Sequence, residues 1–241
     1  MAETKLKYKR VMLKLSGEAL AYEDGKGYNN DEITNVAKQV KTLRNKGVDV
    51  CVVTGGGNYW RGATGTGIER TKSDSIGMLA TVMNAVYVSE IFRLNGMDTA
   101  ILTTLPFANI TEMYSKDLAN KYFKEGKVIF FAAGTGHPYF TTDTGMALRA
   151  IESNCDLILA AKSIDGVYDS DPEKNPDAKK YKTISYSEVV EKKLGVIDLT
   201  ASTMLEQNAI EMRIFSLYEK NSIQNALGTK FNGTKVTIKK K

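Results

Sequence analysis

Several short segments of this sequence combine glycine with lysine, arginine or hydroxyl side chains, a combination that suits phosphate binding. The first is Lys14-Leu15-Ser16-Gly17, which follows an apolar run. A lysine followed by a turn of small residues can direct an ammonium group and free backbone N–H groups at an anion. Taken alone, this segment fits an ordinary polar turn better than a phosphate site.

A second segment, Gly55-Gly56-Gly57-Asn58, is followed closely by Arg61-Gly62. Consecutive glycines let the backbone approach a ligand because no Cβ atom intervenes, and their N–H groups can surround an anion. Arg61 could add charged hydrogen bonds to phosphate oxygens. A flexible connection would look similar, but the position directly after an apolar run favours a binding site.

The densest segment reads Gly-Thr-Gly-His-Pro-Tyr-Phe-Thr-Thr-Asp over residues 134–143. It offers glycine N–H groups, two aromatic rings that could pack on a base or sugar, and hydroxyls for phosphate oxygens. Asp143 could orient a lysine from another strand end. Thr142 or Asp143 could equally serve as the N-cap of the helix predicted to follow.

A fourth segment begins at Lys162 and continues through Asp165-Gly166-Val167-Tyr168 to Asp171-Pro172. A lysine at a strand end can face phosphate groups, and Tyr168 could lie against a nucleotide base. Without the other segments, a mobile acidic turn would explain these residues as well.

Other kinds of chemistry lack the residues that they need. The chain has one histidine, His137, and no G-x-S-x-G turn, so a hydrolase triad is not predicted. The Walker motif G-x-x-x-x-G-K-[ST] and the dinucleotide fingerprint G-x-G-x-x-G are both missing. Cys51 and Cys155 are far apart in sequence and form no CxxC pair, so neither a zinc site nor a disulfide framework is indicated. The chemistry of this protein is therefore expected to depend on lysine, arginine, aspartate, backbone N–H groups and a bound metal ion.

The elements that must position these segments alternate between strand-like and helix-like patterns. Strands are predicted over residues 11–15, 48–53, 99–102, 128–133, 157–160, 213–217 and 235–238. Helices are predicted over residues 31–46, 74–94, 116–124, 144–153, 187–193 and 202–210, with Asp31 and Asp74 as N-caps. Residues 165–180 are predicted to form a long surface loop.

Such a pattern indicates an α/β fold in one domain over residues 1–241. Continuous apolar strands are typical of a parallel sheet covered on both faces, and repeated β–α units imply right-handed crossovers. Ligands of these sheets bind at the carboxyl ends of the strands. The four segments all follow strands, so they are expected to converge there.

Charge and composition limit the classes of binding partner and the cellular location that can be expected for this chain. The net charge of +5 favours anionic ligands only weakly. The basic tail at residues 239–241 could contact nucleic acid, but a solvated chain end is the preferred interpretation. No stretch approaches the roughly 20 apolar residues of a membrane helix, and the N-terminus makes a poor secretory signal. A cytoplasmic location is therefore expected.

Together, these segments resemble the amino-acid kinase superfamily, and specifically its uridylate kinase branch. The similarity is carried by residues 14–20, 55–58, 61–62, 77–84, 134–143 and 165–172. It implies a three-layer sandwich with a mostly parallel central sheet of about eight strands. It further implies transfer of the γ-phosphoryl of ATP to UMP, with Mg²⁺ bound mainly through the ATP phosphates. A homohexamer regulated by nucleotides such as GTP or UTP is implied as well.

The resemblance also implies roles for individual residues, with UMP held mainly by the N-terminal part and ATP largely by the C-terminal part. The implied catalytic residues are Lys14, Asp143 and Lys162, and no protein residue is implied as a metal ligand. The implied ATP contacts are Lys14, Leu15, Ser16, Gly17, Gly57, Arg61, Lys162, Tyr168 and Asp171. The implied UMP contacts are Gly56, Asp74, Thr135, Gly136, His137, Pro138, Tyr139, Phe140, Thr141 and Thr142.

This sequence departs from the family pattern in two places, and a third segment has two interpretations. The family usually has asparagine where this chain has His137, and the alignment around Lys162 varies among relatives. The glycine-rich residues 24–27 fall where some relatives place a GTP-response element, although a surface turn fits equally well.

Two other functions compete with this interpretation. One is a kinase of the same fold that acts on an amino acid or carbamate; residues 77–84 and 135–143 argue for UMP instead. The other is a nucleotide-binding regulator without turnover, against which the full set of lysines, glycines and aspartates argues.

Overall fold

The computed structural model describes residues 7–22, 26–60 and 67–238. The strands in these ranges are β1 (Arg10–Leu15), β2 (Asp49–Thr54), β3 (Thr99–Thr103), β4 (Glu112–Met113), β5 (Val128–Ala132), β6 (Leu157–Lys162), β7 (Val167–Tyr168), β8 (Lys180–Tyr181), β9 (Thr183–Ser185), β10 (Glu211–Ser216) and β11 (Thr234–Thr237). The helices are α1 (Asn30–Asn45), α2 (Arg70–Leu94), α3 (Lys116–Lys124), α4 (Thr142–Glu152), α5 (Tyr186–Glu191), α6 (Leu199–Gln207) and α7 (Ser222–Asn225).

The described part of the chain contains a nine-stranded sheet in the order β4-β3-β5-β2-β1-β6-β10-β11-β9. Neighbouring strands are parallel except β10 and β11, which are antiparallel. The predicted α/β fold with a mostly parallel sheet of about eight strands is confirmed. Strand β1 lies in the middle, between β2 and β6, so its carboxyl end is enclosed on both sides.

Helices cover both faces of the sheet, which explains why the strands read as continuous apolar runs. Along β1, Leu13 and Leu15 belong to the core on one face with α1 and α2, whereas Met12 belongs to the core on the other. Side chains alternate between faces along a strand, so Lys14 lies on the Met12 face. The same alternation along β6 places Lys162 on that face.

Five of the six predicted helices begin one to four residues earlier than predicted, and only the start of α3 was predicted correctly. Helix α1 is capped by Asn29, which accepts from the Glu32 N–H, rather than by Asp31. Helix α2 begins at Arg70, one turn before the predicted start at Asp74, and Glu69 caps it. Each start contains several adjacent residues able to cap a helix. The path of the preceding chain determines which of these residues is the N-cap.

The predicted loop at residues 165–180 contains a short antiparallel ribbon. Its strands β7 and β8 pair Val167 with Tyr181 and Tyr168 with Lys180. The Lys180 ammonium lies 2.7 Å from a carboxylate oxygen of Asp165, which ties the two ends of the segment together. The two ends of residues 165–180 are therefore held together by an ion pair and a short β-ribbon.

The two cysteines are far apart in sequence but adjacent in space. The Sγ atoms of Cys51 and Cys155 are 3.6 Å apart, and both thiols are free and buried. Burial, followed by the neighbouring Cys155 thiol, raises the pKa of Cys51. Low thiolate content and burial together predict poor reactivity for this pair.

Helix α2 is long and apolar enough, by length and composition, to cross a membrane, which the sequence analysis did not anticipate. In its most apolar stretch, 44% is buried. The helix packs against β2, β3, β5 and α1, which accounts for much of its apolar character. Leu79 and Met83 remain exposed on its outer face.

Candidate active site

A cavity of about 350 Å³ opens at the carboxyl ends of β1, β2 and β5. Its walls come from the residues after these strands and from the N-terminal parts of α2 and α4. The lining residues are Lys14, Ser16, Gly17, Glu18, Gly55, Gly56, Gly57, Trp60, Arg70, Ser73, Asp74, Gly77, Met78, Thr81, Gly134, Thr135, His137, Phe140, Thr141, Thr142 and Asp143. Three of the four glycine-containing segments thus meet where the sheet topology predicts.

Glycine is required at position 17 because of close backbone packing. A Cβ atom there would lie 2.7 Å from the backbone nitrogen of Gly57 and 2.7 Å from Oδ1 of Asn58. It would also lie 2.9 Å from the carbonyl oxygen of Gly55. The first glycine segment therefore packs directly on the second, and the two form one wall of the cavity.

Two buried asparagines hold the second glycine segment in shape. Asn84, on α2, donates to the carbonyl oxygen of Gly55 at 2.6 Å and to Oδ1 of Asn58 at 2.7 Å. Asn58 in turn donates to the carbonyl oxygen of Gly27 at 3.1 Å. In the sequence, both asparagines stand out only as members of motifs. An amide at a buried position of an apolar helix is the signal that could have identified this network.

Lys14 and Asp143 form an ion pair at the cavity wall. The Lys14 Nζ atom lies 3.0 Å from Oδ1 of Asp143, and Lys14 is only 9% exposed. Asp143 is in the first turn of α4, where backbone N–H groups also favour a negative charge. The ammonium of Lys14 is therefore fixed in position before any ligand arrives.

Lys162 lies close to this pair but has a different hydrogen-bond partner. Its Nζ atom donates to the carbonyl oxygen of Val196 at 2.5 Å. Burial, followed by the positive charge of Lys14, lowers the pKa of Lys162 to about 8, while Asp143 opposes the shift. The charges of Lys14, at the end of β1, and Asp143, at the start of α4, thus both act on Lys162, at the end of β6.

The loop between β5 and α4 has an unusual backbone, with positive φ angles at Ala133, Gly134, Gly136 and Tyr139. At Gly136, a Cβ atom would lie 3.0 Å from Oγ1 of Thr104, so both conformation and space favour glycine there. The N–H of Ala133 donates to Oγ1 of Thr81 at 3.0 Å. The loop is thereby fastened to α2 at its beginning.

Asp74 fastens the same loop further along. Its Oδ2 atom accepts from the N–H of Tyr139 at 2.8 Å, and both carboxylate oxygens accept from Nε of Arg70. Partial burial acts to raise the pKa of Asp74, but the hydrogen bonds from Tyr139 and Arg70 outweigh it and hold that pKa below its usual value. Asp74 is accordingly an ionised acceptor at the cavity edge rather than the predicted N-cap.

Thr141, and neither Thr142 nor Asp143, caps α4. Its hydroxyl oxygen accepts from the N–H groups of Asp143 and Thr144. The hydroxyl also donates to Oδ2 of Asp198 at 2.5 Å, and that carboxylate accepts from the Thr144 hydroxyl as well. Asp198, which no sequence motif singles out, fixes the start of α4 and hence the position of Asp143.

Most of the predicted site residues lie together, and several do not line the cavity. The predicted residues that line it are Lys14, Ser16, Gly17, Gly56, Gly57, Asp74, Thr135, His137, Phe140, Thr141, Thr142 and Asp143. Gly136, Pro138 and Tyr139 belong to the same loop without lining the cavity, and Lys162 lies beside Lys14. Arg61 lies outside the described residues, as do residues 24 and 25 of the segment 24–27.

Three predicted ATP contacts lie elsewhere. Leu15 is fully buried in the core, and its carbonyl oxygen accepts from Gly55. The Tyr168 hydroxyl donates to Asp165 at 2.8 Å. Asp171 pairs with the Lys174 ammonium on an exposed turn. The assignments of Tyr168 and Asp171 to ATP therefore stay predictions. Because the Leu15 side chain is buried, only its backbone atoms could contact a ligand.

The polar atoms of this cavity suit an anion better than a metal ion. Within the described ranges, no group of three or more His, Cys, Asp and Glu side chains could hold a metal. Asp143 and Asp74, the two aspartates of the lining, are each paired with a cation. Glycine N–H groups and Lys14 supply the donors that phosphate oxygens need.

Known proteins with a similar sequence and structure agree with this geometry. Residues 9–216 match the amino acid kinase family. A uridylate kinase of Rickettsia bellii (strain RML369-C) is 44% identical over 220 residues, which cover 90% of this chain and 92% of the relative. The UMP kinase structure from Ureaplasma parvum superposes with a TM-score of 0.90 at 33% identity, covering 96% of this chain and 100% of that one. The UMP kinase structure from Bacillus anthracis gives a TM-score of 0.90 at 33% identity, over 95% and 96% of the two chains. The chain belongs to the amino acid kinase family and, within it, to the uridylate kinases.

Proposed function

We propose that this chain transfers the γ-phosphoryl group of ATP to UMP, giving UDP and ADP. The observation that carries the proposal is that the Lys14–Asp143 pair and the glycine segments line the same cavity. Such a cavity offers several fixed donors to phosphate oxygens at one place. The 44% identity to a uridylate kinase supports UMP as the acceptor.

The geometry supports a division of the cavity between the two nucleotides. Asp74 binds the loop at Tyr139, and we assign Asp74 and residues 135–142 to the UMP side. Gly17 packs closely on Gly57, and we assign these glycines with Lys14 and Ser16 to the ATP side, with Arg61, Tyr168 and Asp171 completing its contacts. Both sides belong to one proposed domain built on the continuous central sheet.

The proposed reaction needs positioning and charge neutralisation rather than a general base. A UMP phosphate oxygen is already ionised at neutral pH, so it can attack the γ-phosphorus of ATP directly as ADP leaves. The ammonium of Lys14, oriented by Asp143, would stabilise negative charge on the transferring group. N–H groups of the glycine segments would bind its oxygens, and Lys162 would add a second positive charge.

We infer that Mg²⁺ is bound mainly through the ATP phosphates. The cavity offers phosphate-binding donors and no described cluster of metal ligands, which fits a cation carried by the nucleotide. When bound, Mg²⁺ would neutralise part of the phosphate charge. The residues of the chain itself bind and orient the nucleotides.

Further proposals rest on the family resemblance. We propose a homohexamer, to which the exposed apolar side chains Leu79 and Met83 of α2 would contribute an interface. We propose nucleotide effectors such as GTP or UTP and a cytoplasmic location. Sedimentation analysis in the presence and absence of each nucleotide tests the assembly and its effectors together.

The pH dependence of the reaction tests the role of Lys162. Burial and then the charge of Lys14 lower its pKa to about 8, so its ammonium is present below that pH and is lost above it. We therefore expect kcat/KM for ATP, which reports on the free enzyme, to fall as the pH rises through about 8. Lys162→Arg keeps its charge at high pH, so the fall should move to higher pH. The same profile in both proteins would contradict this role.

A panel of acceptors tests the proposed function itself. With ATP and Mg²⁺ fixed, ADP release is measured with UMP, CMP, GMP, glutamate, aspartate or carbamate. Strong release with UMP alone is expected. Release with an amino acid or carbamate would keep the fold and overturn the acceptor assignment. Binding of ATP and UMP without ADP release would support the regulator.

A further inference from the structure

Arg70 lines the cavity, and the proposed reaction does not use its side chain. It begins α2, and its side chain is about half exposed. The described residues that line the cavity include one arginine, Arg70, and one lysine, Lys14. Lys14 is assigned to the transferring phosphoryl group. The position of Arg70 next to Asp74 suggests a function at the opposite, UMP side.

The guanidinium of Arg70 is held in a defined orientation. Its Nε atom donates to both oxygens of Asp74, at 2.9 and 2.8 Å. The Tyr139 ring lies beside it, with 5.4 Å between the guanidinium carbon and the ring centroid. The terminal amino groups of Arg70 have no hydrogen-bond acceptor among the described residues. Two contacts thus hold the side chain and leave its terminal amino groups available to a ligand in the cavity.

The remaining capacity of Asp74 complements these donors. Its carboxylate accepts from Arg70 and Tyr139, yet two carboxylate oxygens offer about four acceptor positions. A hydroxyl group is both a donor and an acceptor. An ionised carboxylate next to a guanidinium can therefore bind one hydroxyl at two points. The carboxylate accepts its proton while the guanidinium donates to its oxygen.

We propose that Arg70 determines sugar specificity, donating to the 2′-hydroxyl oxygen of the acceptor nucleotide while Asp74 accepts the hydroxyl proton. The proposal rests on the assignment of this side of the cavity to UMP. When the hydroxyl is missing, one donor of Arg70 and one acceptor position of Asp74 lose their partner, so the site discriminates against 2′-deoxynucleotides. Arg70 contacts the sugar and not the transferring phosphoryl group. Its loss should consequently affect binding more than turnover.

The test compares UMP with dUMP as acceptors for the unmodified chain and for Arg70→Met. The unmodified chain is expected to prefer UMP, and this preference in kcat/KM should fall about tenfold in the variant, in line with loss of one charged hydrogen bond. KM for UMP should rise while kcat stays within about twofold. Arg93→Met removes a half-exposed arginine from the other end of the same helix and serves as the matched control.

A purely structural role for Arg70 predicts a different outcome. Removing the guanidinium would then raise the pKa of Asp74 and shift the acid side of the pH profile, with the UMP-to-dUMP ratio unchanged. That result would overturn the proposal. Arg70→Lys, which keeps the charge but not the fork of donors, should also lose the preference for UMP and provides a second variant if Arg70→Met unfolds.

Calorimetric binding of UMP and dUMP separates this proposal from the proposed function. If the chain binds UMP better than dUMP through Arg70 but transfers no phosphoryl group, only the catalytic assignment fails. If transfer to UMP proceeds and Arg70→Met leaves both the binding ratio and the kinetic ratio unchanged, only the sugar assignment fails.

Discussion

Replacement of Lys14 by methionine is expected to lower kcat by about 10²–10³-fold, the usual cost of removing one fixed donor to a developing negative charge. The Lys14 ammonium is fixed 3.0 Å from Asp143 and lies at the cavity wall, so methionine removes a positioned donor from the transferring group. Methionine has a similar length and suits a position that is only 9% exposed. The protein should therefore remain folded, as circular dichroism can verify.

The matched control for this substitution is Lys121→Met. Lys121 is exposed on α3 and pairs weakly with Glu125, at 3.9 Å. Its replacement should leave turnover unchanged. Near-normal turnover in the Lys14 variant, measured beside this control, would remove Lys14 from the reaction.

A second large effect is expected from Gly17→Ala. The new methyl group would lie 2.7 Å from the backbone nitrogen of Gly57 and 2.9 Å from the carbonyl oxygen of Gly55, so one glycine segment must move away from the other. Overpacking of this kind costs about 1–3 kcal/mol in the free energy of unfolding. The displacement also misplaces the N–H groups assigned to ATP, so KM for ATP should rise.

Gly228→Ala separates crowding from the general effect of replacing glycine. A Cβ atom at Gly228 would meet only the carbonyl oxygen of Asn225, at 3.8 Å, which is an ordinary contact. Thermal unfolding and ATP kinetics of the two variants are compared directly. If the two variants have the same unfolding temperature and the same KM for ATP, the close approach at Gly17 has no consequence.

Much of the framework could be predicted from the sequence because local patterns determine it. Lys14 and Lys162 each follow apolar residues that alternate between two cores, so the period of a strand places both side chains on the α4 face. The convergence of the glycine segments follows from parallel strands, whose carboxyl ends share one edge. These features depend on spacing within a short stretch of chain.

Other parts of the candidate site depend on contacts between distant segments, which one sequence does not reveal. Asp198 reaches Thr141 across 57 positions, and Asn84 reaches Gly55 across 29. The adjacency of the two cysteines, 104 positions apart, has the same origin. The starts of five helices were missed because neighbouring residues have similar capping ability; these helices begin at Asn30, Arg70, Thr142, Tyr186 and Leu199.

Transfer of label from ATP tests the central claim most directly. ATP labelled in its γ-phosphoryl group is incubated with the unmodified chain, Mg²⁺ and UMP, and the products are separated. The proposed function predicts that the label appears in the β-phosphoryl group of UDP, in amounts equal to the ADP formed. Label that remains in ATP, or that appears as inorganic phosphate without UDP, would contradict it.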